Sequence, residues 1–161
     1  MKYNIVITGS TGMVGKGVLL ECLDHKWVEK VLVVNRRSIN LTHPKLKELL
    51  VSDFMDLKNI EDDLKGYDAC FFSLGVSSIG ISKGDYEKIT YELTIHFAKT
   101  FLDKNKDSIF TYVTGAGTDS TEKGKVRWAR VKGKTENRIL DMPFRVAYMF
   151  RPGYIHPYRG V

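Results

Sequence analysis

Short apolar runs recur along this chain, and between them apolar residues return at helical spacing. Ile5-Val6-Ile7 is a continuous apolar run, the mark of a strand buried on both faces. Beyond a glycine-rich turn, Val14, Val18, Leu19, Leu20 and Leu23 repeat as one face of an amphipathic helix. The pattern predicts strands at 3–8, 31–35, 47–51, 69–74, 109–114 and 145–150. It predicts helices at 13–24, 85–103 and 124–141, with a short helical turn near 58–64. Phe71-Phe72 and Ile109-Phe110-Thr111-Tyr112-Val113 suit central strands of a parallel sheet. Strand and helix alternate, which argues for an α/β, doubly wound parallel sheet with strand order 3-2-1-4-5-6. With no repeat, low-complexity tract or linker, residues 1–161 read as a single domain.

Composition narrows the class. The 161 residues are 43% hydrophobic and 27% charged, ordinary for a globular protein with a core of its own. No apolar stretch approaches a membrane span, so no membrane partner is expected. The first strand runs straight into the glycine turn without a leader pattern, and the expected location is cytoplasmic. Cys22 and Cys70 fall on a predicted helix and a predicted strand and read as buried thiols of a reducing compartment. No Cys/His spacing suggests a metal, so none is expected. From residue 122 onward ten Lys/Arg stand against three Asp/Glu, while the rest of the chain is close to neutral. No aromatic residues interleave those charges as single-stranded nucleic-acid surfaces require, so the basic part reads as a solvated helix and a phosphate-attracting cleft rather than a nucleic-acid site.

The candidate chemistry begins at the glycine turn. Gly9, Ser10, Thr11, Gly12, Met13, Val14 and Gly15 join a strand to a helix start, the context a pyrophosphate needs. Glycine lets the backbone approach a ligand, and the helix N-terminus favours an anion. The motif therefore predicts a Rossmann-like NAD(P)-binding fold. The second strand ends in Asn35-Arg36-Arg37, with no acid expected nearby. An acid there accepts from the ribose 2′-hydroxyl of NAD, whereas an arginine accommodates the 2′-phosphate of NADP. NADP(H) is expected, with NAD(H) as the alternative. Leu74, Gly75 and Val76 end the fourth strand and flank the same crevice, where Gly75 lets the backbone pass close to the ribose.

Thr8-Gly9-x-Thr11-Gly12-x-x-Gly15 together with Trp128-Ala129-Arg130-Val131-Lys132-Gly133-Lys134-Thr135-Glu136 resembles the extended and atypical short-chain dehydrogenase/reductases. Bacterial members of that kind are labelled nucleoside-diphosphate-sugar epimerases. The resemblance implies an oxidoreductase or epimerase with a dinucleotide cofactor and a small-molecule substrate. It implies that Asp53 and Phe54 grip the adenine; Asp53 read by itself equally suits a turn cap. It places Pro152, within Arg151-Pro152-Gly153, near the nicotinamide end.

The family's reductases use Tyr-x-x-x-Lys on one helix and a hydroxyl residue at the end of the fifth strand. Lys132 fits the lysine and Thr114 the hydroxyl, but position 128 carries Trp where the family has Tyr. An indole donates a hydrogen bond without titrating usefully, so Trp128 is no general acid. Three readings follow. The site binds the dinucleotide without the usual catalysis; or Tyr86, Tyr112 or Asp119 donates the proton; or water or the substrate does. His43 and His96 read as structural, and His156 lies nearest the crevice. Loops 76–84 and 115–124 would shape the substrate pocket. The resemblance also implies a homodimer through the helices at 85–103 and 124–141, although Tyr91, Leu93, Phe97 and Phe101 equally suit a core. In extended reductases a substrate lid follows at about the point where this chain ends, so the C-terminal substrate region is expected to be short or missing.

Overall fold

The computed structural model describes residues 2–156. Its strands are β1 (Tyr3–Thr8), β2 (Val28–Asn35), β3 (Leu46–Leu50), β4 (Ala69–Phe72), β5 (Ile109–Val113) and β6 (Val146–Phe150). Its helices are α1 (Met13–Asp24), α2 (Lys83–Glu87), α3 (Leu93–Lys104) and α4 (Arg127–Leu140). All strand pairs are parallel, in the order β3-β2-β1-β4-β5-β6. The expected α/β doubly wound sheet and its strand order are therefore observed.

Alternation along β1 divides the core. Ile5 and Ile7 face Leu19, Cys22 and Leu23 of α1 together with Val31 and Val33 of β2. Val6 joins Phe72, Phe110, Phe97 and Phe101 of the opposite face, where Ile139 of α4 also packs. Side chains of this size each stabilise the fold by about 1.5–3 kcal/mol when fully buried. Phe97 and Phe101 are fully buried, and Tyr91 and Leu93 pack against the same cluster. Phe97 and Phe101 thus belong to the core, while Tyr91 and Leu93 stay half-buried at its margin. Cys22 and Cys70 are buried free thiols, and burial pushes the Cys22 thiol up to about 11.

Several boundaries move. β2 starts at Val28, ahead of the expected 31, because Val28 already pairs with Tyr3. β4 stops at Phe72 and β5 at Val113, leaving Leu74 and Thr114 in the crevice loops. The helix expected over 85–103 is built from α2, one π turn at Lys88–Glu92, and α3. In that turn the Thr90 carbonyl accepts from Thr135 Oγ1 of α4 at 3.3 Å. α4 begins at Arg127 because Val126 before it is extended.

Candidate functional site

The crevice lies at the carboxyl ends of β1, β4 and β5. Gly9 has φ +70°, and a Cβ there would sit 2.7 Å from the Leu74 nitrogen, so β4's end crosses directly over the turn. A Cβ on Gly15 would come within 2.2 Å of the Gly9 carbonyl oxygen, so α1 rests on the turn with no room between them. A Cβ on Gly12 meets the Gly9 oxygen at an ordinary 3.4 Å. Gly12 precedes α1 and supplies no side-chain cap to the helix's first N–H groups. Those groups and the positive end of the helix dipole suit an anion. Ser10 is buried, Thr11 and Met13 are exposed, and Val14 is half-buried. Thr8 Oγ1 and Ser73 Oγ, buried at the ends of β1 and β4, have no hydrogen-bond partner. The crevice therefore keeps unmet polar capacity, and its residues fit a dinucleotide's pyrophosphate.

A cavity of about 460 Å³ opens beside this turn. Arg36, Asp53, Phe54, Leu74 and Val76, singled out in the sequence from separate loops, line it together. Gly75 lies exposed between the last two, with open space around it. Phe54 lines the cavity too, although its residue is 1% exposed and its ring packs 6.0 Å from Phe97. Its ring thus belongs to the core while the residue still borders the cavity with Asp53. Asp53 Oδ1 accepts from the Met55 N–H at 2.8 Å, so the turn-capping reading holds for that oxygen. Arg36 and Arg37 are exposed. The expectation of no acid near them is corrected. Glu48 of β3 brings a carboxylate to the end of β2, where Asn35 Nδ2 donates to it at 3.1 Å.

At the far end, β5 and β6 stay paired beyond their last strand residues. Thr114 N–H donates to the Phe150 carbonyl and Ala116 N–H to the Pro152 carbonyl, both at 2.8 Å. This puts Pro152 beside the Thr114 loop. Lys132 Nζ donates to the Thr114 carbonyl oxygen at 2.7 Å. Burial pushes the Lys132 ammonium below its ordinary value, with the Glu136 carboxylate partly opposing the shift. Trp128 is half-buried, its six-membered ring near Gly115 and Gly117.

The Thr114 hydroxyl does not face a substrate position. It donates to Glu136 Oε1 at 2.5 Å, and Glu136 is 1% exposed. Arg151 Nε meets both oxygens of Glu136 at 3.1 Å, its Nη2 also donates to Oε2, and the same Nη2 reaches Ser120 Oγ at 2.5 Å. A charged pair on a nearly buried acid needs this many partners to offset its desolvation.

The three alternative proton donors are not poised in the crevice. Tyr86 is 1% exposed under the Arg127 guanidinium, and burial raises its phenol. Tyr112 is 2% exposed, and burial drives its phenol far above the ordinary range. Asp119 accepts from Thr121 Oγ1 and the Gly124 N–H, which hold its carboxyl below the usual range. His43 Nδ1 accepts from the Lys45 N–H, His96 is half-buried on α3, and exposed His156 lies at the edge of a second cavity. That cavity, about 590 Å³, lies on the α1 side of the sheet among Val18, Phe71, Val113 and Pro152.

Four residues with no assigned role in the sequence build the site. Glu136 and Glu48 are two: Glu136 is buried beside Thr135 on α4, and Glu48 is half-buried on the edge strand β3. Gly133 is the third, since a Cβ there would lie 1.8 Å from the Asp119 oxygen and α4 must touch the loop after β5. Arg127 is the fourth. Its Nη2 donates to the carbonyls of Ser78 and Ile81 at 2.8 and 3.3 Å, tying the loop after β4 to the start of α4.

No protein-family model matches the chain. "Protein FMP52-2, mitochondrial" of Scheffersomyces stipitis is 28% identical over 158 residues, 96% of this chain and 67% of that protein. "Leucinostatins biosynthesis cluster protein T" of Purpureocillium lilacinum is 26% identical over 144 residues, 86% of this chain and 52% of that protein. The chain thus spans between about half and two thirds of these curated relatives. The expected cytoplasmic location is overturned by the fungal relatives, whose names place them in mitochondria. Among solved structures, a Burkholderia cenocepacia short chain dehydrogenase in complex with NADP superposes with a TM-score of 0.74 at 12% identity, over 97% of this chain and 74% of that one. A Thermotoga maritima UDP-glucose 4-epimerase superposes with a TM-score of 0.68 at 16% identity, over 90% of this chain and 54% of that one. At such identities the likeness lies in the fold, and the fold of this chain is the Rossmann-like α/β sheet of the short-chain dehydrogenases and nucleotide-sugar epimerases.

Proposed function

We propose that this chain binds NADP(H) as the dinucleotide-holding part of an atypical short-chain dehydrogenase/reductase, an oxidoreductase or epimerase acting on a small-molecule substrate. One observation carries the reading. A single cavity beside the glycine turn gathers Arg36, Asp53, Leu74 and Val76 from three separate loops. Gly9, Ser10, Thr11, Gly12, Met13, Val14 and Gly15 hold the pyrophosphate in this reading. Arg36 and Arg37 take the 2′-phosphate; Asp53, Leu74, Gly75 and Val76 enclose the adenosine. Lys132 and Pro152 stand at the nicotinamide end. The solved neighbour with NADP supports the cofactor class.

The bound cofactor supplies a hydride donor or acceptor. The chain's own residues bind and orient it: Lys132 fixes the end of β5, and Trp128 forms part of the wall beside Gly115 and Gly117. Calorimetric titration of NADPH and NADH tests the reading. NADPH is expected to bind more tightly, and Arg36→Ala to narrow the difference. Absence of NADPH binding at millimolar concentration would sink it.

A second reading is a dinucleotide-binding protein that turns over no carbonyl. It is favoured by the indole at position 128 and by the commitment of the Thr114 hydroxyl to Glu136. It predicts cofactor binding without turnover across a carbonyl screen, and measurable reductase activity in Trp128→Tyr. Turnover by the unaltered chain would exclude it.

A further inference from the structure

Glu48 lies on β3 at the edge of the sheet, yet its carboxylate reaches beneath the turn that follows β2. Oε1 accepts from Asn35 Nδ2 at 3.1 Å and from the Ile39 N–H at 3.0 Å, and Oε2 accepts from Ser38 Oγ at 2.6 Å. These bonds grip both sides of a turn whose middle residues are Arg36 and Arg37. Burial alone would raise the Glu48 carboxyl, but the bonds from Ser38, Ile39 and Asn35 outweigh it and hold the group below its usual range. Asn35, 3% exposed, forks in turn onto Ser10 Oγ at 2.8 and 3.0 Å, and Ser10 is 1% exposed. The strand end, the glycine turn and the arginine turn are thus joined through buried polar groups.

An acid at the end of the second strand ordinarily turns to the ribose 2′-hydroxyl and repels a 2′-phosphate. Glu48 carries the same charge, but its oxygens are spent on protein donors. The two arginines above it are exposed, and neither makes a hydrogen bond or ion pair in the described structure. We infer that Glu48 is a positioning residue for cofactor choice: it sets the 36–39 turn so that Arg36 and Arg37 present their guanidinium groups to the 2′-phosphate. The inference rests on the NADP(H) reading and deepens it. The chain then selects its cofactor through a residue that never touches it. Asn35 keeps its bonds to Ser10 without Glu48, so the pyrophosphate end is left in place when the carboxylate is removed.

The test is calorimetric titration of NADPH and NADH into the 161-residue chain and into Glu48→Ala and Glu48→Gln. Loss of a charged hydrogen-bond set should lower NADPH affinity in Glu48→Ala about tenfold, while NADH affinity changes by about twofold or less. Glu48→Gln keeps an oxygen acceptor for Asn35 and Ile39 and is expected to stay within about threefold of the unaltered chain for NADPH. Equal weakening of both cofactors by Glu48→Ala overturns the inference, since it marks general support for the loop. A gain in NADPH affinity also overturns it, because the carboxylate then acts by repulsion. If Glu48→Ala fails to fold, Ser38→Ala removes one bond and keeps the charge; it should shift the same ratio in the same direction, and an unchanged ratio overturns the inference. If the unaltered chain binds neither cofactor, the NADP(H) reading fails and this inference with it; if it binds both and only the ratio test fails, the reading stands.

Discussion

Lys132 holds the carbonyl oxygen of Thr114 with its ammonium at 2.7 Å, so one side chain joins α4 to the end of β5. In the proposed function that lysine stands at the nicotinamide end. The geometry shows it already spending a donor on the backbone, with two N–H bonds left for a ligand.

Burial lowers the Lys132 ammonium below its ordinary value of 10.5. Between the folded value and 10.5 the unfolded chain holds a proton that the folded chain has lost, so this residue makes stability rise with pH across that window. Below the window the buried charge opposes folding. Urea unfolding of the unaltered chain and of Lys132→Met over a pH series is expected to show the gap moving in favour of the unaltered chain as pH rises. A constant gap would mean that the ammonium is not desolvated.

The three glycines of the first turn are expected to differ in what they tolerate. Gly15→Ala forces a Cβ to 2.2 Å from the Gly9 oxygen and should destabilise the fold by about 1–3 kcal/mol. Gly12→Ala meets only ordinary contact at 3.4 Å and should unfold like the unaltered chain while binding dinucleotide less well. Thermal unfolding and cofactor titration of the pair separate the two effects.

Glu136→Gln removes the charge that Arg151 pairs with and that accepts from the Thr114 hydroxyl. Arg151 keeps 39% of its side chain in water, which lowers the cost. A loss of about 1–3 kcal/mol is expected in denaturant titrations, the range for a buried polar group left without its partner. A change under a few tenths would show that the network contributes little.

Glu48 governs the acid side. Its hydrogen bonds hold the carboxyl below the ordinary 4.5, so its contribution is complete above 4.5 and drains away as pH falls through the folded value. Glu48→Gln is therefore expected to lose less stability on acidification than the unaltered chain. Parallel losses in the two proteins would show that those bonds do not favour the charged form.

Period and turn chemistry made the sheet order and the cradle legible. Ile5-Val6-Ile7 is apolar on both faces because both faces are covered, and Gly9 and Gly15 stand where a Cβ has no space. The crevice's partner residues were harder. Glu48 meets the arginine turn only through the pairing of β2 with β3, and Thr114 meets Glu136 only because α4 folds back across β5. Such juxtapositions have no local spacing to betray them. Phe54 shows how one position serves two ends: its ring packs against Phe97 while the residue borders the cavity. The π turn escaped because a single extra residue barely disturbs helical periodicity.

Arg127 binds the carbonyls of Ser78 and Ile81, and the next residue in the chain is Trp128. Ile81 also borders the 460 Å³ cavity beside the glycine turn. The guanidinium therefore tethers the loop after β4, which borders that cavity, to the first turn of α4. Loop 78–81 and the helix turn that carries Trp128 are thus held in one position by a single side chain, although 46 to 49 residues separate them along the chain.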